Sequence, residues 1–403
     1  MTEWFLGLAF LLGIVKMLNM SSLSVAPDIY IKDRSSAFVK SILAACPIFL
    51  EPYIPTLIWG KSGHIQTIVY GKMGRVQYPD LKGDRHEHIM PDGATSTFDV
   101  YHSLSEHPSG GDYAMLVCPG IANCSESPYI RTLVHMAQRS GYRVAVLNHL
   151  GALRDVELTS PRIFDYGSTT EFHHMVEDMR KMYPNSSFLA VGFSMGANII
   201  TKYLGEHPDN QKHFICGMSL CQGYDVIQIC PQLMSYFLPR LYVYAMTENI
   251  KKILQRHSSI LFSSSAQEKY GSFDLEKIFD IGEEYSEQQS LEALDEVYSS
   301  KRLGFKCLED YYRSCSSGNY LHNVTIPMFI LNALDDPLVP SSIHSIPRKF
   351  AETHDNCIFV VTHHGGHLGY FEGGYLTPSP ITWIDRAVLE FADAMVAMEE
   401  KQQ

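Results

Sequence analysis

Three residues far apart in the chain have the types and the order that nucleophilic acyl transfer needs. Ser194 lies in Gly192-Phe193-Ser194-Met195-Gly196, a G-x-S-x-G pattern. The apolar run Phe188–Val191 comes directly before it and the helix-forming stretch Ala197–Leu204 directly after. In that context the pattern is a nucleophile elbow: its glycines let neighbouring backbone approach at a sharp turn, and the serine hydroxyl projects from the top of a sheet. The helix leaving the turn offers unpaired N–H groups and a positive dipole end to a developing oxyanion. Outside a strand-to-helix context the same five residues would be a chance turn.

A serine nucleophile needs a base and an orienting acid, each on a loop after a later strand. Leu334-Asp335-Asp336-Pro337 follows the apolar run Met328–Leu331, and Gly365-Gly366-His367-Leu368-Gly369 follows Cys357–Val361. Pro337 ends the strand and pre-sets a turn that aims a carboxylate back over the sheet. Asp336 abuts that proline and is chosen over Asp335. Glycines on both sides leave the His367 imidazole room to move. Its competitors His363 and His364 still lie on the strand or at its end, and the bland alternative is a surface-loop histidine, one of 18. The oxyanion hole needs two backbone donors, the first from the residue after the nucleophile, Met195. In Cys118-Pro119-Gly120-Ile121-Ala122-Asn123 the proline has no N–H, so Ile121 is expected to supply the second.

The elements that must position these residues alternate. A hairpin arm is expected at Thr95–Tyr101, strands at Ala114–Val117, Arg143–Leu147 and Ser187–Gly192, and helices at about 127–139, 169–182 and 195–205. Buried runs separated by helices of this length imply a mostly parallel α/β sheet with flanking helices. The alternation breaks over 226–320. Leu233, Phe237, Leu241, Tyr244 and Ile253 fall at helical spacing there, and 268–296 is acidic. An insertion before the last two strands is where a lid would sit, and a plain surface subdomain is the equal alternative.

Composition excludes other classes. The chain has 403 residues, 32 Lys and Arg against 44 Asp and Glu, and a formal charge of −12, with no basic run longer than Lys251-Lys252. No nucleic-acid partner is expected from such a balance. Nine cysteines without metal-ligand spacing argue against a zinc site or a disulfide scaffold. No cofactor is required.

At the N-terminus, Trp4–Val15 is twelve residues without a charge, interrupted by Lys16 and extended by Met17, Leu18 and Met20. A signal-anchor, a cleaved signal peptide and a buried helix compete. The absence of a basic leader, a clear cleavage site or an amphipathic pattern favours the anchor. Lys16, Lys32 and Arg34 after the run would keep the remainder cytosolic, whereas N-x-S/T triplets at Asn19, Asn123, Asn185 and Asn323 would suit the luminal side. The expected organisation is an anchor at 1–20, an extended Pro/aromatic arm at 21–82, core at 83–225, a lid-like insertion at 226–320 and core again at 321–403.

Six segments carry a resemblance: Trp59–Thr67 (WGKSGHIQT), Pro119–Asn123 (PGIAN), Asn148–Ala152 (NHLGA), Gly192–Gly196, Asn332–Pro337 (NALDDP) and His364–Gly369 (HGGHLG). Together they resemble the membrane-anchored α/β-hydrolase-domain family over nearly the whole chain. The resemblance implies an α/β-hydrolase fold and a single-pass membrane serine hydrolase acting on acylglycerols, with Ser194, Asp336 and His367 as triad. It also implies a type II arrangement with the catalytic domain luminal or extracellular. The family's H-x-x-x-x-D pattern occurs at His107–Asp112 and at His173–Asp178, and such hits arise by accident among 18 histidines. The function expected is hydrolysis of a monoacylglycerol-like ester at the membrane. Lipid binding or receptor function on a hydrolase fold is the alternative from another class, and acyl transfer to an alcohol is a third reading.

Overall fold

Short apolar runs buried on both faces form the central strands of an α/β protein. The computed structural model describes residues 7, 13–73, 81–235, 237–281 and 291–401. Its strands are β1 (Asp28–Tyr30), β2 (Asp84–Ile89), β3 (Thr95–Tyr101), β4 (Tyr113–Cys118), β5 (Arg143–Asn148), β6 (Ser187–Phe193), β7 (Phe214–Leu220), β8 (Met328–Ala333) and β9 (Cys357–Thr362). Two compact units share them: residues 80–326 form one, and 1–79 with 327–403 form the other.

In the 80–326 unit the strand order is β7-β6-β4-β5-β3-β2. The pairs β7/β6, β6/β4 and β4/β5 are parallel, and β3 joins β5 and β2 antiparallel. Every residue of β4 is buried, as a strand covered by helices on both faces must be. The edge strand β2 instead reads Asp-Arg-His-Glu-His-Ile and is largely solvent-facing, a charged edge that discourages pairing with another chain. The covering helices carry their charges at the ends the helix dipole favours. Thr170–Met182 has Glu171 in its first turn and Arg180 and Lys181 in its last, and Pro128–Arg139 opens on a proline, where no N–H is lost.

The described residues of 226–320 are helical, without a strand. In the helix Phe237–Arg256 the inward face is Val243, Thr247, Ile250, Ile253 and Leu254. Phe237, Leu241 and Tyr244, apolar residues at the expected spacing, are exposed. Residues 282–290 of the acidic stretch lie outside the described residues.

In the other unit β8 and β9 run parallel around the helix Ser345–Thr353, and β1 adds antiparallel to β9 with Asp28 opposite Val361. Its core is aromatic: the Phe49 ring lies 5.0 Å from Phe329 and 6.4 Å from Trp383, and Tyr370 stacks on Trp383 at 5.8 Å. Trp383 opens the helix Trp383–Glu400, whose start is fixed by a capping box between Thr382 and Asp385.

The extended arm expected at 21–82 is only partly extended. It supplies β1 and the helices Ala37–Ala45 and Gly63–Met73. The physical reason is the placement of proline: Pro47, Pro52 and Pro55 restrict irregular chain to the stretch they occupy, and no proline follows until Pro79. Most of the apolar run Trp4–Val15 lies outside the described residues, which include only Gly7 and 13–15 of it; residues 13–17 are helical. Among the described residues no helix is long and apolar enough to cross a membrane.

Candidate active site

Ser194 sits between β6 and the helix Met195–Glu206 with φ 52° and ψ −118°. A non-glycine residue held there costs on the order of 1–3 kcal/mol and persists only when its surroundings over-determine it. Here they do. The Ser194 N–H donates to Leu220 O at 2.8 Å on the neighbouring strand, and its carbonyl accepts from Ala197 N and Asn198 N. A Cβ on Gly192 would stand 2.5 Å from Gly196 O, and one on Gly196 would stand 2.0 Å from Cys118 O. Neither position tolerates a side chain, so the pattern's two glycines are explained by contact.

The Gly196 approach brings the loop after β4 against the elbow. Gly120 N donates to Tyr129 Oη at 2.8 Å, the Tyr129 ring meets Phe193 at 5.3 Å, and Ala122 takes φ 58°. Asn123 Nδ2 donates to Ile121 O at 2.8 Å. Neither the Ile121 nor the Met195 N–H has a hydrogen-bond acceptor among the described residues. His149, just past β5, donates from Nε2 to Pro119 O at 2.9 Å, and burial holds its imidazole below the usual range and therefore neutral.

Behind the elbow, Asn198 donates to Tyr166 O (3.1 Å) and Cys315 O (2.8 Å) and accepts from Ser317 N (3.1 Å). The end of the insertion is thereby clamped to the nucleophile's helix. Sequence reasoning assigned no role to His149 or Asn198. His149 lies in one of the resembling segments, which was its only local signal.

The candidate acid and base, Asp336 and His367, belong to the other unit. Asp336 Oδ2 lies 2.9 Å from His367 Nδ1, and Asp336 Oδ1 accepts from Leu338 N (2.7 Å) and Val339 N (3.0 Å). With Nδ1 donating to the carboxylate, the imidazole presents its Nε2 lone pair, the form a general base requires. Asp335 faces elsewhere: Oδ1 accepts from Gly366 N at 2.9 Å and Oδ2 stands 3.5 Å from His364 Nδ1. Burial raises the Asp335 carboxyl above the usual range, against the pull of His364 and the Gly366 N–H.

The His367 loop is strained as well, with positive φ at Gly365, Gly366, Leu368 and Tyr370. Side chains of the helix Gly63–Met73 hold it. The Thr67 hydroxyl accepts from His367 N at 2.9 Å and donates to Gly63 O at 2.7 Å. Gln66 Oε1 accepts from Phe371 N at 2.8 Å, while Tyr53 Oη donates to Phe371 O at 2.7 Å and accepts from Gln66 Nε2 at 2.9 Å. A Cβ on Gly366 would stand 2.3 Å from Gly63 O. Thr67 and Gln66 position the His367 loop, and the sequence reading left them without a role.

The two H-x-x-x-x-D patterns are committed elsewhere. His107 Nδ1 engages Ser109 Oγ at 2.9 Å, and Asp112 accepts from Arg143 at 2.7 Å and from Ser186. Asp178, on the helix Thr170–Met182, pairs with His88 of β2 at 2.7 Å. No group of three His, Cys, Asp or Glu residues suited to a metal ion occurs among the described residues.

The α/β-hydrolase fold family model matches residues 113–374. A Homo sapiens protein named "Monoacylglycerol lipase ABHD2" is 45% identical over 395 residues, spanning 98% of this chain and 91% of its own length. A Drosophila melanogaster protein named "Abhydrolase domain-containing protein 2" is 40% identical over 96% of this chain and 94% of its own. The Mus musculus "Phospholipase ABHD3" is 27% identical over 97% of this chain and 90% of its own.

Proposed function

The chain belongs to the α/β-hydrolase family, and we propose that it is a serine hydrolase cleaving the carboxylic ester of monoacylglycerols or similar single-chain lipids. The observation that carries the reading is Ser194 at positive φ on a glycine-walled elbow, together with a histidine whose Nδ1 is committed to a buried carboxylate. The relatives' names support a lipid ester as substrate.

In the proposed reaction His367 Nε2 removes the Ser194 proton as Oγ attacks the ester carbonyl. The Met195 and Ile121 N–H groups receive the oxyanion. His367 then protonates the departing glycerol oxygen, and a water activated by the same nitrogen releases the fatty acid from Ser194. Asp336 holds the imidazole tautomer throughout and stabilises the imidazolium. A fluorophosphonate probe tests this directly. Ser194→Ala, with unchanged melting temperature, is expected to lose all labelling and monoacylglycerol turnover. A variant that labels at the wild-type rate overturns the assignment.

The apolar run Trp4–Val15 supports a single-pass anchor, and the side proposed for the hydrolase is luminal or extracellular. Of the N-x-S/T asparagines beyond the anchor, Asn123 and Asn323 donate their amides to Ile121 O and Gly205 O, whereas Asn185 is exposed in a turn. N-glycosidase treatment of cell-made protein should increase gel mobility for the wild type and not for Asn185→Gln. An unglycosylated wild type places the domain on the cytosolic side.

A further inference from the structure

The unit of residues 1–79 and 327–403 exposes apolar side chains where an aqueous surface would be polar. Two extended segments run side by side. Leu57 N donates to Gly374 O and Ile58 N to Tyr375 O, both at 3.1 Å, and Trp59 Nε1 donates to Leu376 O at 2.7 Å. The pair presents Ile54 (56% exposed), Leu57 (49%), Tyr375 (75%) and Leu376 (63%) to solvent. A single exposed leucine is ordinary, but a contiguous group built on two cross-bonded segments marks an interaction surface.

Two observations specify its occupant. The first is continuity with the N-terminal apolar run. The chain leaving that run is pinned to this face: Asn19 Nδ2 donates to Lys61 O at 3.1 Å, and Lys61 Nζ donates to Ser22 O. Met20 and Leu23 in the same stretch are exposed. The second is charge. In a chain of net −12, no acidic residue occurs in residues 13–27, 52–79 or 373–384, while Lys16 and Lys61 do. Glu372, which bridges to Pro55 at the edge of the pair, is held by Arg386, and a surface poor in acids that bears Leu, Tyr and Trp is the composition that settles at a lipid headgroup boundary.

We infer that the face formed by Ile54–Trp59 and Gly373–Leu376 docks on the bilayer surface beside the anchor, with Leu57, Tyr375 and Leu376 inserted at headgroup depth. The docked loop is the continuation of the one that carries His367, so contact with lipid is made eight residues from the catalytic base. This inference rests on the reading of the protein as membrane-anchored.

Trp59 is its reporter. Of the other two tryptophans, Trp383 is 1% exposed and Trp4 is removed by Trp4→Phe. The full chain carrying Trp4→Phe is reconstituted in phosphatidylcholine–phosphatidylserine vesicles whose lipids bear bromines near the headgroup. Trp59 emission is expected to be quenched relative to unbrominated vesicles. Joint substitution Leu57→Ser, Tyr375→Ser and Leu376→Ser should remove the quenching and lower turnover of vesicle-borne monoacylglycerol, while turnover of a short soluble ester and the melting temperature stay unchanged. Unquenched Trp59 in protein that resists a carbonate wash overturns the docking alone. Release by the wash overturns the anchored reading as well. Quenching that the triple substitution leaves intact places the contact elsewhere, and unquenched Trp59 in a sedimenting dimer assigns the face to a second copy. Absence of soluble-ester turnover in both the wild type and the Trp4→Phe parent counts against the hydrolase reading and leaves the fluorescence result standing.

Discussion

The nucleophile's turn and the histidine's loop are both strained, and they are held by opposite means. At Ser194 the restraint is local and made of backbone: a strand before, a helix after, an N–H on the next strand, and glycine contacts too close for any side chain. At His367 no helix continues the turn, and the restraint comes from side chains some 300 residues away in sequence, Thr67 and Gln66. Backbone contacts of the first kind fail all at once when altered. Side-chain restraints of the second kind can be loosened one hydrogen bond at a time, so the base should be the adjustable half of the machinery.

The largest effect should come where the histidine loop meets chemistry. Asp336→Asn leaves the shape intact but favours the wrong imidazole tautomer, which costs about 10⁴ in turnover in a comparable triad. Asp335→Asn alters contacts to Gly366 and His364 and the charge facing His64, and should cost far less. Turnover of both variants on one monoacylglycerol, with melting temperatures alongside, decides the matter. A larger loss for Asp335→Asn at equal stability moves the acid one residue back.

The contrast itself is probed by Gly196→Ala and Thr67→Val. The methyl of Gly196→Ala has no space against Cys118 O, so destabilisation of about 3 kcal/mol or more is expected, and turnover should fall with the folded fraction. Thr67→Val leaves the His367 N–H without its acceptor, a cost of about 1–3 kcal/mol, while Gly63 O keeps its helix bond. If the loop shifts to recover it, kcat should drop roughly 10- to 100-fold with KM little changed. Thr67→Ser should restore the wild-type rate. Equal loss of kcat in the Ser and Val variants would mean the hydroxyl only packs, and the contrast between the two regions would collapse.

The smallest effect is one of pH. Asp295, in the insertion, has its carboxyl pushed up to about 7 by desolvation, with Tyr312 Oη at 3.1 Å. A raised acid binds its proton more tightly in the folded state, so stability should fall as pH rises from about 4 to 7 and level off above. Asp295→Asn should flatten that slope and be the more stable protein at pH 8. Parallel melting curves for the two proteins across that range would refute the assignment.

What the sequence discloses follows the same division. Strands β3 to β6, β8 and β9 stand out as apolar runs because burial demands them, whereas β7, its run broken by Gly217 and Ser219, does not, and the elbow stands out because strand, glycine pattern and helix are contiguous. Asp336 and Asp335 are separable because proline constrains one of them. The helix Gly63–Met73 is hidden by the prolines before it, and Gln66 and Thr67 are marked only by lying in the resembling segment Trp59–Thr67, since threonine and glutamine are ordinary residues for a helix surface. His149 is legible only as part of a resembling segment, its hydrogen bond to Pro119 O being tertiary. On the helix Phe237–Arg256 the periodicity is visible but the buried face is not, because apolar residues occupy both sides.

The pairing of β1 with β9 joins Asp28 to Val361. During synthesis at about 5–20 residues per second, the first strand therefore waits on the order of 15–60 s before its partner exists. Over that interval Thr67 likewise has no His367 N–H to receive. In the proposed mechanism the nascent chain carries Ser194 well before His367, so hydrolysis awaits the loop that follows the last strand. A chain that stops short of Cys357 lacks the strand that pairs with both β1 and β8, and with it the proposed base.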